Sequence, residues 1–186
     1  MKYIIFSDTH IGSKYNDDPT LLDQIDNSDP SNTILLGDII DMACCHKKIV
    51  NDLRQYQLML LNKFNDRYVS GNHCLLTSNL KYIENGILFT HGDLISNFDK
   101  WWLYRLKTAG AGKLKLLWVS LVDNMDWLKE NMIPKESVFK RAADVAKNHD
   151  CHTIVMGHFH PSKVITRQFG DVKIIIVPKG LTELDL

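Results

Sequence analysis

The sequence predicts an α/β domain, and three observations carry that expectation. Short apolar runs that do not alternate with polar residues recur along the chain, as strands buried on both faces require. Stretches with apolar residues at helical spacing lie between them, the order from which parallel sheets are built. The strands also share an ending. Phe6, Leu36, Val69, Phe89 and Met156 are each followed within four residues by Asp, Asn or His.

Taken in order, Tyr3 to Phe6 is the first buried strand, running into Ser7-Asp8. Asp18-Pro19 opens a short helix that continues to about Asp26. Asn27 to Asn32 is turn chemistry, and Thr33 to Leu36 is the second strand, ended by Gly37-Asp38. From Lys48 to about Phe64 the residues Ile49, Leu53, Tyr56, Leu60, Leu61 and Phe64 recur at the spacing of an amphipathic helix. Arg67 to Ser70 is a third strand ended by Gly71, and Gly86 to Thr90 is a fourth that stops at His91-Gly92-Asp93.

Residues 94 to 149 break this rhythm with helical pattern and no strand. Leu114, Leu117, Trp118, Leu121, Met125 and Leu128 share one face, Pro134 interrupts, and a further helix is predicted from Lys135 to Lys147. Thr153 to Met156 then forms a strand, followed by a turn at His158 to Pro161. Val164 to Arg167 and Val172 to Val177 form a hairpin joined at Gly170-Asp171. Residues 1 to 186 thus read as a single domain, with 94 to 149 as a helical insertion.

At 186 residues and 45% hydrophobic, the chain can bury a sizeable core, which excludes disorder as its main state. Twenty-two basic and twenty-two acidic residues cancel, so no global field gathers nucleic acid or anionic membrane. The cancellation is uneven: residues 1 to 93 carry eight basic and twelve acidic side chains, and residues 94 to 149 carry ten and six. All four tryptophans, Trp101, Trp102, Trp118 and Trp127, lie in the basic segment. The longest uncharged apolar stretch, Leu116 to Val122, is far short of the ~20 residues of a membrane span. The start of the chain lacks the apolar length of a secretory signal. Cys44, Cys45, Cys74 and Cys151 have no zinc-ribbon or Cys-x-x-Cys spacing and read as reduced thiols, so a cytoplasmic location is expected.

The strand-end residues are Asp8 and His10, Asp38 and Asp41, Asn72 and His73, His91, then His158 and His160. Carboxylate, imidazole and amide oxygen suit manganese, iron or zinc, and the absence of cysteine argues against a structural zinc site. In Asp8-x-His10 and His158-x-His160 the paired side chains lie two apart, which on an extended strand end turns them to the same side. Singly, each motif is more often a turn or cap than a ligand. Five of them in order, each closing a strand, point to a crevice at the carboxyl ends of an open sheet.

Asp8-Thr9-His10, Gly37-Asp38-Ile39-Ile40-Asp41, Gly71-Asn72-His73, His91 and Gly157-His158-Phe159-His160 resemble the five ordered motifs of the calcineurin-like metallophosphoesterase superfamily. The resemblance implies a four-layer α/β/β/α sandwich with residues 94 to 149 as an inserted helical cap. It also implies two divalent metal ions, manganese foremost, with iron or zinc as alternatives. One would be held by Asp8, His10, Asp38 and His160, the other by Asp38, Asn72, His91 and His158, with Asp38 bridging. His73 would contact phosphate beside Asn72 and act as the catalytic proton donor. Family members often carry Asp or Glu after Gly-Asn-His, where this chain has Cys74, a weak acceptor. Asp41 is the candidate to orient His73 instead.

Ser/Thr protein phosphatases of the superfamily continue the Asp38 motif with a phosphate-gripping Arg, but residues 1 to 53 contain none. The expected substrate is therefore a phosphorylated small molecule or lipid-linked phosphate, ahead of a phosphoprotein. A nuclease, a cyclic-nucleotide phosphodiesterase and a non-catalytic phosphate- or partner-binding module are the alternatives. The insertion stands where enzymes similar to UDP-2,3-diacylglucosamine pyrophosphohydrolase carry a helical cap. Lys100, Trp101 and Arg105 could hold a polyanionic or acylated substrate there, or touch a membrane surface. The same aromatics could equally pack the cap onto the core or another subunit.

Overall fold

The computed structural model describes residues 1–13, 18, 20–41, 49–74, 79–93, 95 and 134–186. Its elements run β1 (Lys2–Ser7), α1 (Thr20–Asn27), β2 (Thr33–Leu36), α2 (Val50–Phe64), β3 (Tyr68–Val69), β4 (Tyr82–Glu84), β5 (Ile87–Thr90), α3 (Glu136–Lys147), β6 (Thr153–Met156), β7 (Ile165–Phe169), β8 (Val172–Ile176) and β9 (Gly180–Asp185). The strands form two sheets, in the orders β3-β2-β1-β9 and β4-β5-β6-β8-β7.

Strand alternation explains why the buried runs are apolar throughout. Ile5 and Tyr3 of β1, Ile34 and Leu36 of β2, Phe89 of β5, Val155 of β6 and Ile175 of β8 meet in one cluster between the sheets. Their neighbours face the other way. Phe6 and Leu35 pack with Leu21 and Ile25 of α1 and Leu60 and Phe64 of α2. Leu88, Ile154, Ile174 and Ile176 pack with Phe139, Ala142 and Ala146 of α3. Three apolar interfaces separate four layers, an α/β/β/α sandwich, and each central strand contributes to two of them.

Among the described residues, the sequence expectations hold for β1, β2, β5, β6, the β7-β8 hairpin and helices α1, α2 and α3, within two residues at most ends; the expected helical face from Leu114 to Leu128 lies outside those residues. The Asp18 carboxylate accepts bonds from the amide and hydroxyl of Thr20, which starts α1. β4 and β9 were not legible: Tyr82–Glu84 is a three-residue edge, and Gly180–Asp185, beside β1, exposes Leu181 and buries Thr182, so it shows no apolar alternation. The expected apolar face of α2 is corrected in part. Ile49 is 38% exposed, and Gln57 occupies a fully buried position in the helix. Helix α3 covers the second sheet as part of the sandwich. The rest of the expected cap, with Lys100, Trp101 and Arg105, lies outside the described residues, as do Cys44 and Cys45. Cys74 and Cys151 form no disulfide. Among the described residues, no helix is long and apolar enough to cross a membrane.

Candidate metal centre

Parallel pairing sets the site. β1 pairs with β2 so that Phe6 lies beside Leu35, and β2 pairs with β3 so that Leu36 lies beside Val69. The loops carrying Asp8, Asp38 and Asn72 therefore leave one edge of the first sheet together. In the second sheet Thr90 lies beside Met156, which brings His91 next to Gly157-His158. The first two loops continue side by side. The amides of His10 and Ile11 donate to the carbonyls of Asp38 and Ile39 at 2.9 and 2.8 Å, and Asp41 donates back to Ile11 at 3.0 Å.

The backbone at these positions is not extended. Asp8, His10, Asp38, His158 and His160 all have φ between 44° and 68°, a left-handed conformation that non-glycine residues seldom adopt. This corrects the reason for expecting Asp8-x-His10 and His158-x-His160 to face together: a left-handed turn, not strand alternation, aims each side chain. It also separates the last pair. His160 Nε2 lies 2.9 Å from Asp8 Oδ1, whereas His158 Nδ1 lies 3.3 Å from His91 Nε2. Strain of this kind persists only where the surrounding structure over-determines it, and here it coincides with the polar cluster.

The seven residues expected as ligands come together in the structure. Ligand atoms of Asp8, His10 and His160 lie within 4.8 Å of one another, as do those of Asp8, Asp38 and His91. His91 is the crowded centre. Its Nε2 is 3.1 Å from Asp38 Oδ2, 3.2 Å from Asn72 Oδ1, 3.3 Å from His158 Nδ1 and 3.9 Å from Asp8 Oδ1. One ring N–H cannot serve four such atoms, and their convergence makes a donor set of the kind that could hold a cation. His91 Nδ1 lies 3.3 Å from the Leu36 carbonyl, an outward bond that fixes the ring so that Nε2 faces the polar cluster. Asp8, Asp38 and His91 are buried at the base, and Asn72, His158 and His160 form a half-buried rim.

The charges balance only through the imidazoles. Burial opposes ionisation of Asp8, yet His160, His91 and His10 hold its carboxyl well below the usual carboxylate range. Asp38 is lowered likewise, against burial, by His91, His73 and His10. Burial lowers the pKa of His91, but Asp38 and Asp8 outweigh it and raise the ring to about 10. Buried carboxylates in such proximity call for positive charge, which protonated imidazole or divalent cations can supply. The donor set of carboxylate, imidazole and amide oxygen fits such ions.

His73 sits one step outward. Its Nδ1 donates to Asp41 Oδ1 at 3.1 Å, and His10 Nδ1 donates to Asp41 Oδ2 at 3.2 Å. The carboxylate that Cys74 does not provide is thus supplied from the Asp38 loop, and one side chain orients two imidazoles. Asp41 is 2% exposed; burial resists its ionisation, but the two bonded histidines keep its carboxyl far below the usual range.

Two features of the site were not singled out from sequence. The Ser7 hydroxyl donates to Asp8 Oδ2 at 2.5 Å, and the His158 amide donates to the same oxygen at 2.9 Å. Gly157 passes so close that a Cβ there would collide with Ser7 Oγ and stand 2.5 Å from Asp8 Oδ2. Gly37, at φ 81°, lies against the His91 ring, which a side chain would strike. The glycines of the motifs were visible in the sequence; the groups they make room for were not.

The family described as the calcineurin-like phosphoesterase superfamily domain matches residues 1–180. Among solved structures, a conserved uncharacterized protein and predicted phosphoesterase from Streptococcus pneumoniae TIGR4 is 15% identical, with a TM-score of 0.49. The likeness covers 99% of this chain and 83% of that one. Comparison with curated proteins produces no match. With its match running from β1 to the start of β9, the chain belongs to the calcineurin-like phosphoesterase superfamily.

Proposed function

We propose that the protein is a dinuclear metal-dependent hydrolase of phosphomonoesters, phosphodiesters or pyrophosphates on small-molecule or lipid-linked substrates. The observation that carries this reading is the crowding at His91 Nε2, where atoms of Asp8, Asp38, Asn72 and His158 converge within 3.9 Å. Asp8, His10, Asp38 and His160 would hold one cation, and Asp38, Asn72, His91 and His158 the other. Bound as a pair, divalent cations lower the pKa of a water, neutralise phosphate charge and clamp the attacking and leaving oxygens. Manganese suits these oxygen and nitrogen donors, and iron or zinc also fit.

The chain's own groups do the rest. His73, oriented through Nδ1 by Asp41, would contact phosphate and pass a proton from its other ring nitrogen to the leaving oxygen. The Asp41 carboxylate stabilises the charged imidazole that delivers that proton. Asn72, on the rim, would touch both a cation and the substrate.

The substrate reading rests on the absence of Arg from residues 1 to 53, which disfavours a phosphoprotein, and on the basic, tryptophan-rich segment with Lys100, Trp101 and Arg105. A nucleotide-linked acyl sugar pyrophosphate is the lipid-type candidate, in a cytoplasmic protein whose cap could reach a membrane surface. The test is hydrolysis of p-nitrophenyl phosphate, bis-p-nitrophenyl phosphate and such a pyrophosphate with manganese, alongside cyclic nucleotides and DNA. Asp38→Ala should abolish all activity. A wild type that binds no metal and cleaves none of these would leave a non-catalytic binding module as the reading.

A further inference from the structure

Helix α2 buries an unexpected side chain. Gln57 is 0% exposed, while its neighbours Leu58 and Met59 are 48% and 64% exposed. A buried amide destabilises a fold unless its polar ends are bonded, and Gln57 Oε1 has no partner among the described residues. Its Nε2 donates to the Tyr68 hydroxyl over 3.3 Å. Tyr68, fully buried in β3, packs in one core cluster with Cys74, and its hydroxyl interacts with the Cys74 thiol.

Tyr68 and Cys74 bracket the turn that carries Asn72 and His73. The Cys74 amide donates to the Gly71 carbonyl at 3.2 Å, and the His73 amide donates to Asp38 Oδ1 at 2.7 Å. We propose that Gln57 and Tyr68 are positioning residues: with Cys74 they form a buried clasp across the base of this turn that sets Asn72 and His73 against Asp38. The proposal rests on the phosphoesterase reading above. Sulfur is a weak, soft acceptor, so the thiol alone holds the turn loosely. The Tyr68 hydroxyl, oriented by Gln57, supplies the directional half of the clasp. The clasp touches neither cation nor substrate and acts only through the turn.

A leucine at position 57 would fill the core and break the clasp, which separates packing from positioning. Gln57→Leu and Tyr68→Phe are compared with wild type by thermal melting, manganese calorimetry and bis-p-nitrophenyl phosphate hydrolysis. The expected result is an unchanged or raised Tm for Gln57→Leu, weaker manganese binding, and kcat lowered about tenfold with little change in KM. A purely structural role predicts the reverse pattern, a lower Tm with kcat per folded molecule intact. Folded variants with wild-type kcat and manganese affinity overturn the clasp and leave the phosphoesterase reading standing. A wild type without manganese binding or hydrolysis overturns that reading instead.

Discussion

His160 places its Nε2 2.9 Å from Asp8 Oδ1, although the two residues stand 152 positions apart and on loops from different sheets. The contact closes the site on its outer side, where His160 is half-buried and Asp8 is not reached by solvent. Removing the imidazole should loosen one cation and leave the opposite group around His91 in place. His160→Ala is expected to raise the manganese concentration for half-maximal activity by more than about tenfold, with partial recovery at saturation. A metal titration identical to wild type would remove His160 from the ligand set.

Asp41 should matter to turnover more than to folding. Asp41→Asn keeps the shape but offers one amide oxygen where two carboxylate oxygens accept from His10 and His73. Activity is expected to drop by about ten- to a hundredfold, with the far-ultraviolet circular dichroism unchanged. Full activity in Asp41→Asn would show that neither imidazole needs this carboxylate.

Stability of the metal-free protein should depend on pH in a way that bound cations suppress. Asp41 is lowered below its ordinary value of 3.8, so its contribution is present above that value and is lost as pH falls through the lower folded pKa. His91 is raised from 6.5 to about 10, so its contribution is complete below 6.5 and is lost as pH rises towards 10. With chelator, Tm should be highest between about pH 4 and 6.5 and decline on the alkaline side. Cations displace the His91 proton, so the manganese-loaded protein should lack that decline. Melting curves of the chelated protein that stay level from pH 6.5 to 9 would contradict the assignment.

Gly157→Ala places a methyl group against Ser7 Oγ and Asp8 Oδ2. Overpacking of this sort costs about 1–3 kcal/mol, and here it also displaces a candidate ligand. A lower Tm together with loss of manganese binding is expected. An alanine variant with normal melting and metal binding would mean that the loop has room to shift.

Much of the architecture was legible because its central strands are sandwiched. Thr33 to Leu36 and Thr153 to Met156 are buried at every position, so unbroken apolar runs marked them. The edges were harder to read. β9 exposes Leu181, Glu183 and Asp185 and is a strand only because β1 presents unpaired backbone to it. Gln57 and Leu58 defeat a reading by periodicity, because the buried residue is the polar one.

The site divides in the same way. By its residue types and their order, the sequence alone determined that carboxylates, imidazoles and an asparagine close successive strands, which identified the family and the chemistry of its candidate donors. Tertiary structure decided which donors meet. Parallel register brought Asp8, Asp38 and Asn72 to one edge, sheet packing set His91 among them, and left-handed turns sent His158 and His160 to different partners. It also assigned Asp41 to His73, where a neighbouring carboxylate was missing from the chain. Contacts spanning 30 to 150 residues depend on register and backbone dihedrals, which local composition does not encode.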